Sequence, residues 1–306
     1  MLWLLRLQRL VPVAGLLLNR LFHPRLSTGL KVEILCAGEI VVRGRAKVGE
    51  GTRIELLPQS KLELGDAVVT GRNLYLRLDR GNVQCIGERT SIQDNCRLYG
   101  NVRIGKGCIF GPNVYLSSGD HVFDAHSDLP IIEQERLSSA VDRPIVVLDD
   151  CWFGINVFVR AGVTIGRGCV IGANSVVTHD VPPYSIVAGA PARVLRRRFD
   201  FDPPPRISAE SIEAAPYFYD GFPLLKRPGR ADRVVNGDFT LALSKPAAKQ
   251  LSICAQGDGV EIEWGAQTRA LQGREVLHFD LPETPSSPFL QLKSSAECSI
   301  LWAELR

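Results

Sequence analysis

Five histidines are the side chains of this 306-residue chain that titrate near neutral pH: His23, His121, His126, His179 and His278. Two of them fall together, and Asp120 and Asp124 stand beside them. An imidazole here could take the proton of an attacking hydroxyl or amine, with either carboxylate orienting the ring. The same carboxylates could equally be turn residues. A histidine pair could also begin a metal site, but a third ligand would have to come from His23, His179 or His278, whose placement argues against it. No Cys-x-x-Cys pair is present to hold zinc. A second charged group, Arg193 with Arg196, Arg197 and Arg198, could meet phosphates or could be a solvated end of an element.

The elements that must position these groups announce themselves as a repeat. From residue 86 an aliphatic or aromatic residue recurs every six positions: Ile86, Ile92, Leu98, Ile104, Phe110, Leu116. After a gap the series resumes as Val147, Phe153, Val159, Ile165, Ile171 and Val177. Four residues after almost every anchor sits a small or β-branched residue, and glycine often follows the anchor directly. Neither a helix, with a period of about 3.6, nor a strand, with a period of about 2, produces a strict six. Three such rungs can close one triangular coil, the large residue inward and the small one near a corner. A looser phase through Val48, Ile54, Leu64 and Val69 predicts that the coils begin near residue 30. Leu116 and Val147 are 31 residues apart, which is not a multiple of six, so the intervening segment must loop out.

These residues resemble the hexapeptide-repeat acyltransferase superfamily, in particular its acetyltransferase branch. The stretch Phe153 to Arg196, with VVTHDVPPYS running into AGAPAR, is similar to the family's closing coils, and FGPNVYLSSGDH at 110–121 is similar to its catalytic coil. The resemblance covers roughly residues 30 to 200. It implies a left-handed parallel β-helix, a homotrimer with sites between subunits, and acetyl-CoA as acyl donor with no metal. By the same resemblance His121, at the start of the outgoing loop, is the general base. Ala173, Thr178 and His179 line the coenzyme groove, and Arg193 and Arg196 meet its phosphates. The family often has Lys where this chain has His179. Members acting on small galactosides or maltose carry polar acceptor ligands where this chain has Ser91 and Tyr99, so a simple sugar is not implied.

Outside the repeat the pattern changes. Residues 1–29 open with a leucine-rich segment whose Arg6, Gln8, Arg9, Asn19, Arg20 and His23 share an arc of about 160° on an ideal helix. It reads as an amphipathic helix, packed on protein or lying on the inner face of a membrane, and is too broken to span one. Residues 30–205 form the β-helix domain, closed by Pro203-Pro204-Pro205 as a stiff linker. In 206–306 short strand-like runs separated by turn residues predict a small antiparallel β-sandwich. The whole is all-β. Hydrophobic residues at 45%, charged residues at 23% and a net charge of +3 exclude bulk disorder and give no argument for nucleic acid. Cys96, Cys108, Cys151 and Cys169 fall at equivalent repeat positions and read as small buried residues of a reduced, cytoplasmic protein. The function expected is acetyl transfer to a sugar hydroxyl of a bacterial surface polysaccharide or its precursor. N-acetylation of an amino sugar and a non-catalytic trimeric scaffold or glycan-binding protein stand as alternatives.

Overall fold

An inward side chain at every sixth residue requires the backbone to turn between rungs, and the corners show how it does so. The computed structural model describes residues 24–137, 142–198, 202–211, 213–220, 233–245, 248–281 and 289–306. The helix expected at the N-terminus lies almost wholly outside the described residues. Two compact units are present, one reaching Asp200 and one from Phe201 to Arg306.

In the first unit each coil gives one strand to each of three parallel sheets, forming the left-handed parallel β-helix that the repeat implies. The first sheet runs from Leu26–Thr28 through Ala46–Val48, Val68–Thr70, Ser91–Ile92, Ile109–Phe110, Trp152–Phe153 and Val170–Ile171 to Ser185–Gly189. The second holds Glu33–Cys36, Arg53–Leu56, Tyr75–Leu78, Arg97–Tyr99, Tyr115–Ser117, Phe158–Val159 and Val176–Val177. The third holds Glu39–Val42, Lys61–Leu64, Val83–Ile86, Val102–Ile104, Ile145–Val147 and Thr164–Ile165. The coils therefore begin at Leu26, slightly before the expected residue 30. The antiparallel strand Ala192–Arg197 folds back on Ser185–Gly189 and ends the first sheet.

The corner between the first and second sheets is built one way throughout. Its third residue takes the left-handed conformation in successive coils, as in Asn73 (φ 55°), Asn95 (φ 60°), Asn113 (φ 59°), Asn156 (φ 59°) and Asn174 (φ 58°). Asparagine tolerates that region better than other residues with a Cβ. Stacked amides then bond between coils, Asn113 Nδ2 donating to Asn156 Oδ1 at 2.9 Å and Asn156 Nδ2 to Asn174 Oδ1 at 3.0 Å. Gly87 turns the third sheet toward the first, and a Cβ there would lie 2.5 Å from the backbone of Gly105 one coil on. Exposed backbone N–H groups at these turns meet carboxylates from the following coil: Asp94 accepts from Arg72 N and Asp149 from Lys106 N, both at 2.7 Å.

The anchors stack into one continuous core, with Phe110 and Phe153 parallel at 4.3 Å. Each such aliphatic side chain removed from water contributes about 1.5–3 kcal/mol. Cys96, Cys108, Cys151 and Cys169 are buried, and each thiol points at a carbonyl of the next coil, as Cys96 Sγ does at Gly111 O (3.2 Å). Burial pushes the Cys96 thiol up to about 11.

Coil size is not constant. Ala46 pairs with Val68 and Arg53 with Tyr75, steps of 22 residues, whereas Ser91 pairs with Ile109 and Arg97 with Tyr115, steps of 18. The wider coils explain one error in the sequence reading. Val69 faces out, 46% exposed, and Val68 and Thr70 face in. Gln84 sits buried where the wider coils give way to narrower ones, in register between Leu62 and Val102, and its amide donates to the Leu98 and Gly100 carbonyls.

In the second unit four of the six short runs read from the sequence join in pairs, two within Gln250–Trp264 and two within Phe289–Leu305. Gln250–Trp264, Gln267–Asp280 and Phe289–Leu305 are long strands of one antiparallel sheet, with Val234–Ala242, Phe218–Asp220 and Arg206–Ser208. The turn residues near Gly257, Gly259 and Ala296 become register shifts within strands, while Gly265 makes the hairpin between the first two. Phe218, Phe239, Phe279 and Ile300 lie in its core.

Candidate functional site

The corner between the second and third sheets holds His121, the base expected from the sequence. In the coil of Arg97–Tyr99 it takes only Gly100 and Asn101, but after Tyr115–Ser117 the chain leaves at Ser118 and re-enters the coil at Ile145. His121 stands three residues out along this excursion, exposed to solvent. Asp120 Oδ1 accepts the His121 backbone N–H at 3.0 Å, and Asp120 Oδ2 lies 4.0 Å from Arg160 Nε. Asp120 therefore fixes the backbone at His121 and ties it to the next coil. Ser117 Oγ donates to Gly119 O at 3.1 Å, closing the turn just before it.

The foot of the excursion is clamped by Asp142. Its carboxylate accepts from Asn82 Nδ2, Asn101 Nδ2 and Ser118 Oγ, donors from three successive coils at this one corner. Ser118 Oγ also accepts the Asn101 N–H at 2.7 Å, and Arg143 N donates to Ser118 O at 2.9 Å, so both ends of the excursion are pinned side by side. Further out, the helix Ile131–Leu137 presents buried Gln134, which accepts from His126 N at 3.0 Å and donates to Leu129 O at 2.9 Å. His126 is thus held by its backbone, as a loop residue.

On the second sheet's outer face, Ser117, Arg160 and Thr178 follow one another when the pairing of Leu116, Val159 and Val177 is carried on by one residue. Thr178 Oγ1 lies 2.9 Å from His179 Nδ1. His179 and Arg193 line a single groove of about 390 Å³ with Val177, Asp180, Val187 and Val194. The structure thus brings three of the residues expected for the coenzyme into one place. Ala173 lies apart, exposed at a corner, where its backbone N would be 2.6 Å from a Cβ on Gly154. Arg196 also lies outside that groove's lining, exposed in the final strand with Nη1 on Arg197 O at 3.1 Å. Arg198 serves the coil itself, pairing with Asp150 at 2.8 Å. Arg193 to Arg197 belong to the exposed hairpin strand that ends the first sheet, so a solvated end remains the alternative reading for those outside the groove.

Two residues of this corner escape a reading of the sequence. Arg160 sits in an inconspicuous repeat position and gains meaning only from the neighbouring coils. Asp142 lies in the gap of the repeat, 24 residues from its partner Ser118 and 60 from Asn82.

Comparison with known proteins follows the same division. The family model described as bacterial transferase hexapeptide (six repeats) matches residues 86–118 and 144–179, the narrower coils without the excursion. Over 162 residues the chain is 35% identical to a probable acetyltransferase of Mycobacterium tuberculosis, 52% of each protein being covered. Over 157 residues it is 33% identical to the galactoside O-acetyltransferase of Escherichia coli, covering 51% of this chain and 66% of that one. The chain thus spans about half the length of the first relative and just under two thirds of the second. A hexapeptide-repeat acetyltransferase of Vibrio cholerae, complexed with acetyl coenzyme A, aligns with 27% identity and a TM-score of 0.38 over 53% of this chain and 72% of that one. With its sixfold anchors and its matched repeats, residues 86–118 and 144–179 carry the bacterial transferase hexapeptide repeat, and this part of the chain is similar to hexapeptide-repeat acetyltransferases.

Proposed function

We propose that this protein transfers the acetyl group of acetyl-CoA to a sugar hydroxyl, with His121 as general base, and that the acceptor belongs to a bacterial surface polysaccharide or its precursor. The observation that carries the reading is the break in the coil. The chain leaves the helix at the corner where Asp142 clamps three coils, and His121 emerges there on the side of the sheet that leads to His179 and Arg193.

In this reading His121 accepts the proton of the acceptor hydroxyl as its oxygen attacks the thioester carbonyl. The tetrahedral oxyanion collapses, the C–S bond breaks, and the imidazolium returns the proton to the leaving thiolate. No covalent enzyme intermediate is needed. Thr178, His179 and Arg193 hold the coenzyme along the groove, Ala173 lines its pantetheine arm, and Arg196 reaches toward its phosphates from the strand edge. Similarity to the galactoside O-acetyltransferase of Escherichia coli supports the hydroxyl acceptor.

The reading includes a homotrimer. Val69, Ile109 and Trp152 are 46%, 48% and 54% exposed along the first sheet's outer face, an apolar stripe suited to a second copy of the chain. It also includes a cytoplasmic enzyme with peripheral contact to the membrane's inner face through residues 1–22, which lie outside the described residues. Among the described residues no helix is long and apolar enough to cross a membrane.

The test is calorimetric titration with acetyl-CoA and CoA in the presence of a chelator. Saturable binding near one site per chain is expected, weakened by Arg193→Ala. Absence of binding by an assembled oligomer would remove the acyltransferase reading, and with it the role given to His121.

A further inference from the structure

The outer face of the second sheet carries a feature that the transfer step does not use. Four aromatic rings on four successive coils stand next to one another: Tyr75 and Tyr99 have centroids 5.3 Å apart, Tyr99 and Tyr115 5.3 Å, Tyr115 and Phe158 5.5 Å. The spacing follows from the coils, since parallel strands repeat every ~4.8 Å and each ring comes from the next strand. Cations accompany the rings. Arg97 lies in register between Tyr75 and Tyr115, is exposed, and has no ion pair among the described residues. Arg160 follows Phe158 by two residues and leads to Asp120 beside His121.

We propose that this ladder is a binding track for an anionic polysaccharide, running along the coil axis and delivering one sugar unit to His121. The proposal rests on the acetyltransferase reading and names the substrate class within it. Ring faces stack against the apolar C–H faces of pyranoses, and a ladder with one ring per coil matches a polymer that presents one such face after another. Arginine forks bind carboxylates in bidentate fashion, so Arg97 and Arg160 select a chain that carries acidic groups. A second copy of the protein fits the other face better. The first sheet offers Val69, Ile109 and Trp152 with no charge among them, whereas docking a copy here would desolvate Arg97 without an evident partner.

The probes are the eight-unit oligomer of galacturonic acid, the corresponding dimer, and the uncharged eight-unit oligomer of maltose, titrated into the full chain and into two variants. The uronate octamer should bind at least about tenfold tighter than either the dimer or the neutral octamer, since only it engages several rings and both arginines. Tyr99→Ala should weaken octamer binding about tenfold, the magnitude of one lost ring contact. Arg97→Gln should abolish the preference for the charged octamer while keeping the oligomeric state seen by sedimentation. The track is overturned if the octamer binds no better than the dimer, if neither substitution changes its affinity, or if either substitution dissociates the oligomer, which would assign the face to a second copy. Acetyl-CoA titration of the unsubstituted chain reads the parent assignment separately. Octamer binding without acetyl-CoA binding would leave the track standing and remove the enzyme.

Discussion

The two corners that flank the second sheet obey opposite rules. Between the first and second sheets every coil spends four residues, from Gly29–Val32 through Gly111–Val114 to Gly172–Ser175, with the third in the left-handed region and the fourth buried. Between the second and third sheets the count is free: Ala37–Gly38, then Leu57–Ser60 and Asp79–Asn82, then Gly100–Asn101, then the long excursion that begins at Ser118. The first corner is bonded to its copies above and below through the asparagine amides, so an added residue would break a ladder as well as a turn. The second projects into solvent, and a Cβ on its Gly81 would meet nothing within 4 Å. At that tip, short of the Asn82, Asn101 and Ser118 side chains that Asp142 ties together, length can vary mainly at the cost of loop entropy, which grows slowly. The candidate site sits where the fold tolerates change.

The sharpest way to break this comparison is insertion. Two glycines placed after Asn156 should prevent folding, since every inward residue beyond would lose its register. The same two glycines after Gly81 should leave a folded protein with a thermal midpoint within a few degrees of the parent, read by circular dichroism. Equal damage at both sites would refute the distinction.

Next in size is His121→Ala, expected to lower kcat by about 10²–10⁴-fold with acetyl-CoA affinity retained. Full turnover in this variant would show that the excursion carries no base. A smaller effect is expected from Asp142→Ala. Loss of hydrogen bonds to a charged but solvent-facing group should lower stability by about 1 kcal/mol. Its effect on kcat should be larger than on the KM for acetyl-CoA, since the clamp holds His121 and not the groove. A change confined to KM would contradict that placement.

The smallest effect concerns Cys96, the buried fourth residue of the first kind of corner. Burial raises Cys96 from 9.0 to about 11, favouring the neutral thiol in the folded state. The stability this contributes is whole below pH ~9, where the unfolded thiol is also protonated, and is lost as pH rises toward ~11. Chemical denaturation at pH 8 and pH 10.5 should show the decline, and Cys96→Ser should flatten it.

How much of this was legible depends on whether a residue's neighbours are close in sequence or one coil away. The anchors Ile86 to Leu116 and Val147 to Val177 repeat because each faces the same core, so the periodic string alone exposed the β-helix and the break that holds His121. Tyr99 was visible as a residue near the expected acceptor region, but not as one rung of a ladder with Tyr75, Tyr115 and Phe158. The wider coils blurred the phase before residue 86, which is why Val69 read as an inward residue. In the second unit, glycine and turn residues read as chain reversals became bulges within long strands, because pairing with Phe289–Leu305 continued on either side of them.

By itself, then, the sequence determined the coil, its approximate start, the place where it opens and the histidine at that opening, because core packing imposes one residue type on every sixth position. Only the tertiary structure decided that Asp142 locks three coils together, that Arg160 reaches Asp120, that His179 and Arg193 share a groove, and that four rings form one surface. Those relations join residues 14 to 60 positions apart, and the stacking and folding back of the coils, rather than any local preference of the chain, brings them together.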